Sequence, residues 1–501
     1  MSNGAGLQLA ALGSENAIVM GKPGVIHFKY SAKKYSNFSS TIMEHVVEGT
    51  VDFGNRIEFN IPKGGDLLGN IFLSVTLPTV YLDKSNGKEN ILPIPWVYAV
   101  GYRMIEQVEL QIGGRTIERF NGDWLINQSI LNKDGVLPSV TLDNSFSASQ
   151  DYSLIGREKE ILVPLNFFTK DNHNALPLIG LHGQTSIKVV IDLASREKLL
   201  CDVGPIVVKD VWNSIQTNSP IGYTTVGSSI STSPTQWIKG YNTFFYLDEI
   251  DKQTFMGASS LDYLISTPEM NLYNSISMSA ADNSNPNRYN HVPVFTGSPN
   301  QTIDSNGAII DFPLSFTGLS RYMLWTITAD MEEQEGTDEL NAPKINNVIP
   351  YVPWNVAPKG SALRFNNVDR LPLMPFSYFN RYTKYETMGE MPPIYQKYYS
   401  PQLIELESFQ ETQRRLQNQS YYSFELNHNS RDPSGCCNFN RLDNASLRID
   451  TGRLDFKQNS NHLCGANFNQ IRPNGNYIVN IYSCRYNVVR VANGQIGLAF
   501  E

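Results

Sequence analysis

An all-β fold spread over two domains is what this sequence predicts, and three observations carry the prediction. Charged residues make up only 18% of the chain while aromatics reach 11%, with Asn, Ser, Thr and Gly abundant. That profile belongs to sheet proteins with long polar loops rather than to helical bundles. Runs in which apolar and polar residues alternate recur along the chain, each ended by turn formers, and that is the period of a half-buried strand. The 501 residues also exceed what one hydrophobic core fills, since single cores stop growing near ~250–300 residues.

In chain order, residues 1–23 mix Gly, Ala and Leu without a strand pattern and read as a tethered arm with a short helix around Leu7 to Leu12. A short run from Val25 to Tyr30 precedes a longer β region. From Arg56 to Ile61 the apolar Ile57, Phe59 and Ile61 fall on one face, and Pro62 to Gly65 breaks the strand. Asp66 to Leu77 resumes it and Pro78 stops it. The clearest hairpin follows. Val108, Leu110 and Ile112 alternate with Glu109 and Gln111, Gly113-Gly114 supplies the positive φ angles of a tight turn, and Arg115 to Arg119 returns. Asn121 to Trp124 ends that unit, and residues 131–157 read as a long polar loop suited to recognition or subunit packing. Short apolar pieces at Ile161 to Phe168 and Leu176 to Leu181 lead to a strand through Ile187, Val189, Ile191 and Leu193. Past a loop at 224–233, Tyr241 to Leu247 is an aromatic strand. Asp248-Glu249-Ile250-Asp251 then caps a short helix reaching Phe255, with acids at the positive end of its dipole. That helix is the expected linker.

The second half repeats the grammar with longer excursions. Strands are expected at Phe312 to Phe316, Tyr322 to Thr328, Ala362 to Phe365, Tyr421 to Leu426, Ser446 to Phe456 and Tyr477 to Val491. Between them lie an Asn/Ser/Pro-rich segment at 281–306, an acidic one at 330–339, a Pro- and Tyr-rich one at 371–400 and a helix over Leu403 to Leu416. The corner from Pro433 to Asn444 stands out. Gly435 permits backbone closed to other residues, Phe439 offers an apolar anchor, and Arg441 and Asp443, two apart, share a face if the chain is extended. Two readings stay open for that pair: a lock on the corner, or a surface ion pair of small worth.

Several function classes are disfavoured. A net charge of −8 argues against a large phosphate-binding surface, so direct nucleic-acid contact is not expected. The N-terminus lacks a basic stretch before an apolar one, and no run is long and apolar enough to cross a bilayer, so the expected product is soluble and carries no cleaved signal. Five cysteines, Cys201, Cys436, Cys437, Cys464 and Cys484, suit free thiols in a reducing compartment, and the Asn-X-Ser/Thr matches then read as chance. None of the seven histidines forms the two-apart pair of a cupin metal site. A zinc set drawn from His428, Cys436, Cys437, His462 and Cys464 lacks the usual ligand gap, and the acids from Asp330 to Glu339 lack a calcium loop's alternation. No cofactor, metal or catalytic residue is expected.

Pro433-Ser434-Gly435 with Asn438-Phe439-Asn440-Arg441-Leu442-Asp443-Asn444 resembles a signature in the second half of the major capsid proteins of nucleocytoplasmic large DNA viruses, with Asn440 where that family more often has serine. The resemblance runs in order across nearly the whole chain. Lys34-Tyr35-Ser36-Asn37-Phe38, Val51 to Asn55 with Gly64 to Leu67, Val108 to Gly114 with Gly122 to Leu125, and Val163 to Phe168 with Leu176 to Ile179 are each similar to family boxes. So are Phe245 to Asp248 with Asp262 to Ile265, and Arg485 to Arg490 with Gly494 and Gly497 to Ala499, whereas residues 371–418 depart from the pattern.

The resemblance implies two tandem eight-stranded antiparallel jelly rolls: an arm at 1–23, a first jelly roll at 24–250, a linker at 251–261 and a second jelly roll at 262–501. It implies a non-enzymatic structural protein whose homotrimers form pseudo-hexagonal capsomers of an icosahedral shell. The implied partners are other copies, neighbouring capsomers, and minor capsid and penton proteins, with contact to an inner viral membrane through minor proteins and assembly in the host cytoplasm. Gly435, Asn438, Phe439, Arg441 and Asp443 are the expected structural motif. A jelly-roll lectin or receptor-binding protein is the alternative, because loop aromatics also stack on sugars.

Overall fold

The computed structural model describes residues 35–77, 99–131, 159–181, 185–195, 237–281, 307–330, 354–389, 418–451 and 476–500, together with shorter pieces such as 3–11, 80–83, 288–295 and 454–457. The expected run at Val25 to Tyr30, the loop at 224–233, the acidic stretch past Asp330 and the helix over Leu403 to Leu416 lie outside the described residues, apart from Phe28. A short helix, α1, occupies Asn3–Ala10.

Two five-stranded sheets form the first half, beside a small one of Val207–Lys209, Val80–Asp83 and Pro93–Ile94. One carries β1 (Phe38–His45) at its edge, then β8 (Ile238–Leu247) and β3 (Leu67–Leu77), with β6 (Lys159–Pro164) and Leu176–Pro177 also on β3. The other runs Glu48–Gly49, β2 (Arg56–Asn60), β7 (Ile187–Leu193), β4 (Ile105–Ile112) and β5 (Arg115–Phe120). Alternation decides which faces meet. Ile57 and Phe59 on β2, Val108, Leu110 and Ile112 on β4, and Val189 and Ile191 on β7 are all buried against the first sheet's Leu73 and Val75. Gly113 and Gly114 turn the β4–β5 hairpin at φ 60° and 78°, as the sequence required.

The hairpin leads into a helix that the alternation did not announce. In α2 (Gly122–Leu131), Asn121 Oδ1 accepts the Trp124 N–H at 2.8 Å as its cap, and all but Asp123 and Gln128 of the helix are buried. Further on, Asp248 Oδ1 accepts from the Asp251 N–H at 3.0 Å and starts α3 (Glu249–Gly257), the helix that the acidic cap predicts. Lys252 on α3 reaches Asp66 at 3.1 Å and fixes the helix against the first half.

The second half opens with β9 (Ser260–Ala281), 22 residues long, where the alternation predicts no strand and Asp262 to Ile265 is only a box similar to the family. It pairs with β16 (Asn476–Ala492) from Ser260 to Asn274, and its far end with Arg288–Phe295. β11 (Leu319–Asp330) lies on the other side of β16 and carries β14 (Ser420–Ser423) and Cys437–Asn438, while β17 (Gln495–Leu498) folds back on β16. The facing sheet runs Gln301–Asp304, β10 (Gly307–Leu314), β15 (Ala445–Asp450), β12 (Gly360–Phe365) and β13 (Val368–Pro375). β13 falls where a Pro- and Tyr-rich excursion was expected; it is an edge strand, the position that tolerates proline. A π-helical turn at Tyr378–Tyr382 and α4 (Thr383–Met388) follow it. The expected strand from Ser446 to Phe456 is two strands, β15 and Leu454–Lys457, which belong to different sheets.

Every pairing between these strands is antiparallel. Among the described residues a single parallel bridge, Leu181 to Gly494, joins the halves. The apolar core of the first half continues across that junction to Ile265, Tyr322, Tyr421, Tyr482 and Val491, while Phe312, Trp325, Phe379, Phe439 and Leu447 build a second core.

Candidate functional site: the second-half corner and the seam

The corner begins where β14 leaves β11. Gly435 has φ 153°, and a Cβ there would overlap the Phe424 carbonyl oxygen, so the returning chain passes against β14 where only hydrogen fits. The Asn427 N–H donates to Ser434 Oγ at 3.1 Å, and that hydroxyl donates to the Asn427 carbonyl at 3.2 Å, closing the loop between them. Asn438 Oδ1 then accepts the Asn440 N–H at 3.1 Å and caps a 3₁₀ turn over Phe439–Arg441. Phe439 points inward, with ring centroids of Phe316 at 5.7 Å, Phe365 at 5.9 Å and Phe424 at 6.1 Å, all edge-on. Asn440 Oδ1 accepts the Gly318 N–H at 3.1 Å, a role that serine's shorter side chain would fill differently.

The Arg441–Asp443 lock does not form. Both side chains are exposed and, among the described residues, no ion pair joins them. The extended-chain premise fails because Arg441 closes a 3₁₀ turn, which rotates it away from Asp443. Asn366 does the locking instead, its Oδ1 accepting the Asp443 and Asn444 N–H groups at 3.0 and 3.1 Å.

Beneath the corner lies a buried ion pair that sequence reasoning missed. Arg321 on β11 grips Glu425 through Nε and Nη2, both at 3.1 Å, and gives Nη1 to Ser266 Oγ on β9 at 2.7 Å. The guanidinium lies 5.0 Å over the Tyr486 ring, whose hydroxyl donates to Glu425 at 3.1 Å. His428 Nδ1 sits 3.3 Å from the same carboxylate. Burial works against charge on Glu425, but the bonds from His428 and Arg321 outweigh it and hold its carboxyl below the ordinary range. Arg321 of β11, Tyr486 of β16 and His428 of the corner thus meet on one carboxylate, and Ser266 of β9 joins them through the guanidinium. The signal in sequence was a lone acid closing an apolar run, but its partner lies 104 residues away.

Next to this cluster the two halves meet. Trp124 on α2 packs on Tyr482 of β16 with centroids 5.4 Å apart, and the Tyr482 hydroxyl donates to Asn121 at 3.3 Å. Two titratable side chains are buried along the seam with no counter-charge within ion-pair distance among the described residues. Glu118 on β5 is 5% exposed and accepts the Phe168 N–H at 2.9 Å; burial pushes its carboxyl up to about 8. Lys384 on α4 is 2% exposed, and burial lowers its ammonium to about 7. With its amide oxygen turned to Lys384, Gln419 lies 3.2 Å from Nζ and donates to Asn127 Oδ1 on α2 at 3.2 Å. Among the described residues no group of side chains could hold a metal ion.

Comparison with known proteins places this geometry. A family model described as the major capsid protein N-terminus matches residues 26–248, and one described as large eukaryotic DNA virus major capsid protein matches residues 415–497. The chain is 24% identical over 511 residues to the major capsid protein of Paramecium bursaria Chlorella virus 1, covering 98% of each. It belongs to the family of large-DNA-virus major capsid proteins. The second of those family models ends its reach over the corner, β15 and β16. The major capsid protein of Phaeocystis pouchetii virus is 23% identical over 574 residues, covering 99% of each chain. Among solved structures, the capsid of Paramecium bursaria Chlorella virus 1 superposes with a TM-score of 0.61 at 20% identity, over 95% of this chain and 100% of that one. The faustovirus major capsid protein gives 0.53 at 8% identity, over 95% and 94%. The fold is therefore that of the double jelly-roll capsid proteins, and the chain's role is structural.

Proposed function

We propose that three copies of this capsid protein close around a threefold axis, each presenting two jelly rolls, so that the trimer has a nearly hexagonal outline and tiles an icosahedral shell. The observation that carries this reading is the succession of two sheet pairs, one on each side of α3, within one continuous chain. On this reading the first jelly roll spans 24–250, the linker 251–261 and the second jelly roll 262–501. The edge strand β1 supports self-association: Phe38 is 55% and Ile42 62% exposed in the single chain, an apolar edge that a soluble protein ordinarily covers.

On this reading the chain catalyses no reaction and holds no cofactor, and its work is done by interfaces. Contacts within the trimer bury more than ~2,000 Å², and weaker lateral contacts to neighbouring capsomers act together. Gly435, Asn438 and Phe439 belong to a structural corner that shapes the second jelly roll. Minor capsid and penton proteins complete the shell and mediate contact with an inner membrane, nucleic acid is not touched directly, and assembly proceeds in the host cytoplasm. Light scattering on the purified chain tests the core of it. A mass three times that of the chain is expected, and a monomer at micromolar concentration would overturn the trimer.

A further inference from the structure

Glu118 and Lys384 are unusual for where they sit. Each is almost fully buried at the junction of the two halves, each is held by neutral partners, and neither is needed for the corner. Groups on the surrounding elements are already engaged. Around Glu118, Glu109 on β4 is taken up by Gln107, Gln111 and Arg119, and Glu269 on β9 by Thr317 and Arg485. The titratable group that faces it from the second half is the buried thiol of Cys484 on β16, behind which Arg321, Tyr322 and Glu425 form their own cluster. Around Lys384, Asp123 on α2 pairs with Arg103, Tyr421 lies against His428, and Glu386 on its own helix is exposed.

We propose that the seam between the two halves is a pH-responsive joint, in which Glu118 and Lys384 are buried against neutral partners while it is closed and meet water when it opens. The proposal does not depend on the trimeric reading. The sign follows from proton linkage. Glu118 binds its proton more tightly in the closed seam, up to about 8, than when exposed, so closure weakens as pH rises from the ordinary carboxylate range to about 8. Lys384 loses its proton in the closed seam above about 7, so closure strengthens as pH rises from there toward the ordinary lysine range. The two limbs leave the seam easiest to open between them, near neutrality.

Cys484, 3% exposed, reports the opening, and exposed Cys436 serves as a control in the same sample. The full chain and the variants E118Q and K384M would be treated with 4,4′-dithiodipyridine across pH, and modification at each thiol followed by peptide mass spectrometry. Each pH unit of linkage is tenfold in the opening equilibrium. The rate at Cys484 in the parent relative to E118Q should therefore rise by about tenfold or more between mildly acidic and neutral pH. Relative to K384M it should fall by about tenfold or more between about pH 8 and pH 10, with Cys436 equal in all three proteins. Should E118Q fail to fold, K384M carries the test with the opposite sign. A rate ratio that stays flat with pH for a folded variant overturns the proposal.

Discussion

Phe439 and Arg441 stand two positions apart in the corner, and their fates differ by burial. Phe439 is 4% exposed among three other phenylalanines, so Phe439→Ala leaves a cavity and should cost about 3–5 kcal/mol. Arg441→Ala and Asp443→Ala remove exposed side chains that form no ion pair among the described residues and should stay within about 0.5 kcal/mol. Urea unfolding of the three variants separates these outcomes, and a loss at Arg441 equal to that at Phe439 would restore the ion-pair lock. Which residue type sits in the corner was legible from sequence, since a glycine, an apolar anchor and short polar caps are what a tight return requires. Which of them bears the load was not, because the 3₁₀ turn that separates Arg441 from Asp443 leaves no mark in a two-residue spacing. Asn366, which holds the backbone there, is 77 residues upstream.

At the scale of elements, local signals are legible in the sequence and long-range ones are not. The β4–β5 hairpin and α3 declare themselves within a dozen residues through Gly113-Gly114 and the Asp248 cap. β9 does not, since Ser, Thr, Asn and Pro268 interrupt its alternation; it is a strand because β16 pairs along it from Ser260 to Asn274. α2 escaped notice for the opposite reason, being buried almost all round and so lacking a polar face. The Arg321–Glu425 pair ties β11 to the corner, and Glu425→Gln would leave a buried guanidinium without its charge partner, at a cost of about 3–5 kcal/mol. Glu425 is held below the ordinary carboxylate range, so its contribution is present above the unfolded-state value and lost as pH falls through the lower folded one. Denaturation midpoints measured from neutral to acid pH should thus converge for parent and variant, and a constant gap would contradict this assignment. Replacing Gly113-Gly114 by Ala-Ala forces two side chains into positive φ and should lower thermal stability, as calorimetry would report.

For the whole molecule, the apolar core that passes from the first half into β9 and β16 makes the two jelly rolls one body rather than beads on a linker. The proposed trimeric tile needs that rigidity, because a hinge between barrels would let its hexagonal outline deform. Sequence composition pointed to two β domains, and the family boxes supplied their order. The seam itself was invisible in the sequence, since Trp124 meets Tyr482 across 358 positions of chain. The most direct test of the account is cryo-electron microscopy of the particle this protein builds. Each capsomer should resolve into three chains and six barrels, with the corner around Phe439 and the Trp124–Tyr482 contact inside a single chain. Capsomers made of six chains, or barrels of one chain parted from each other, would contradict it.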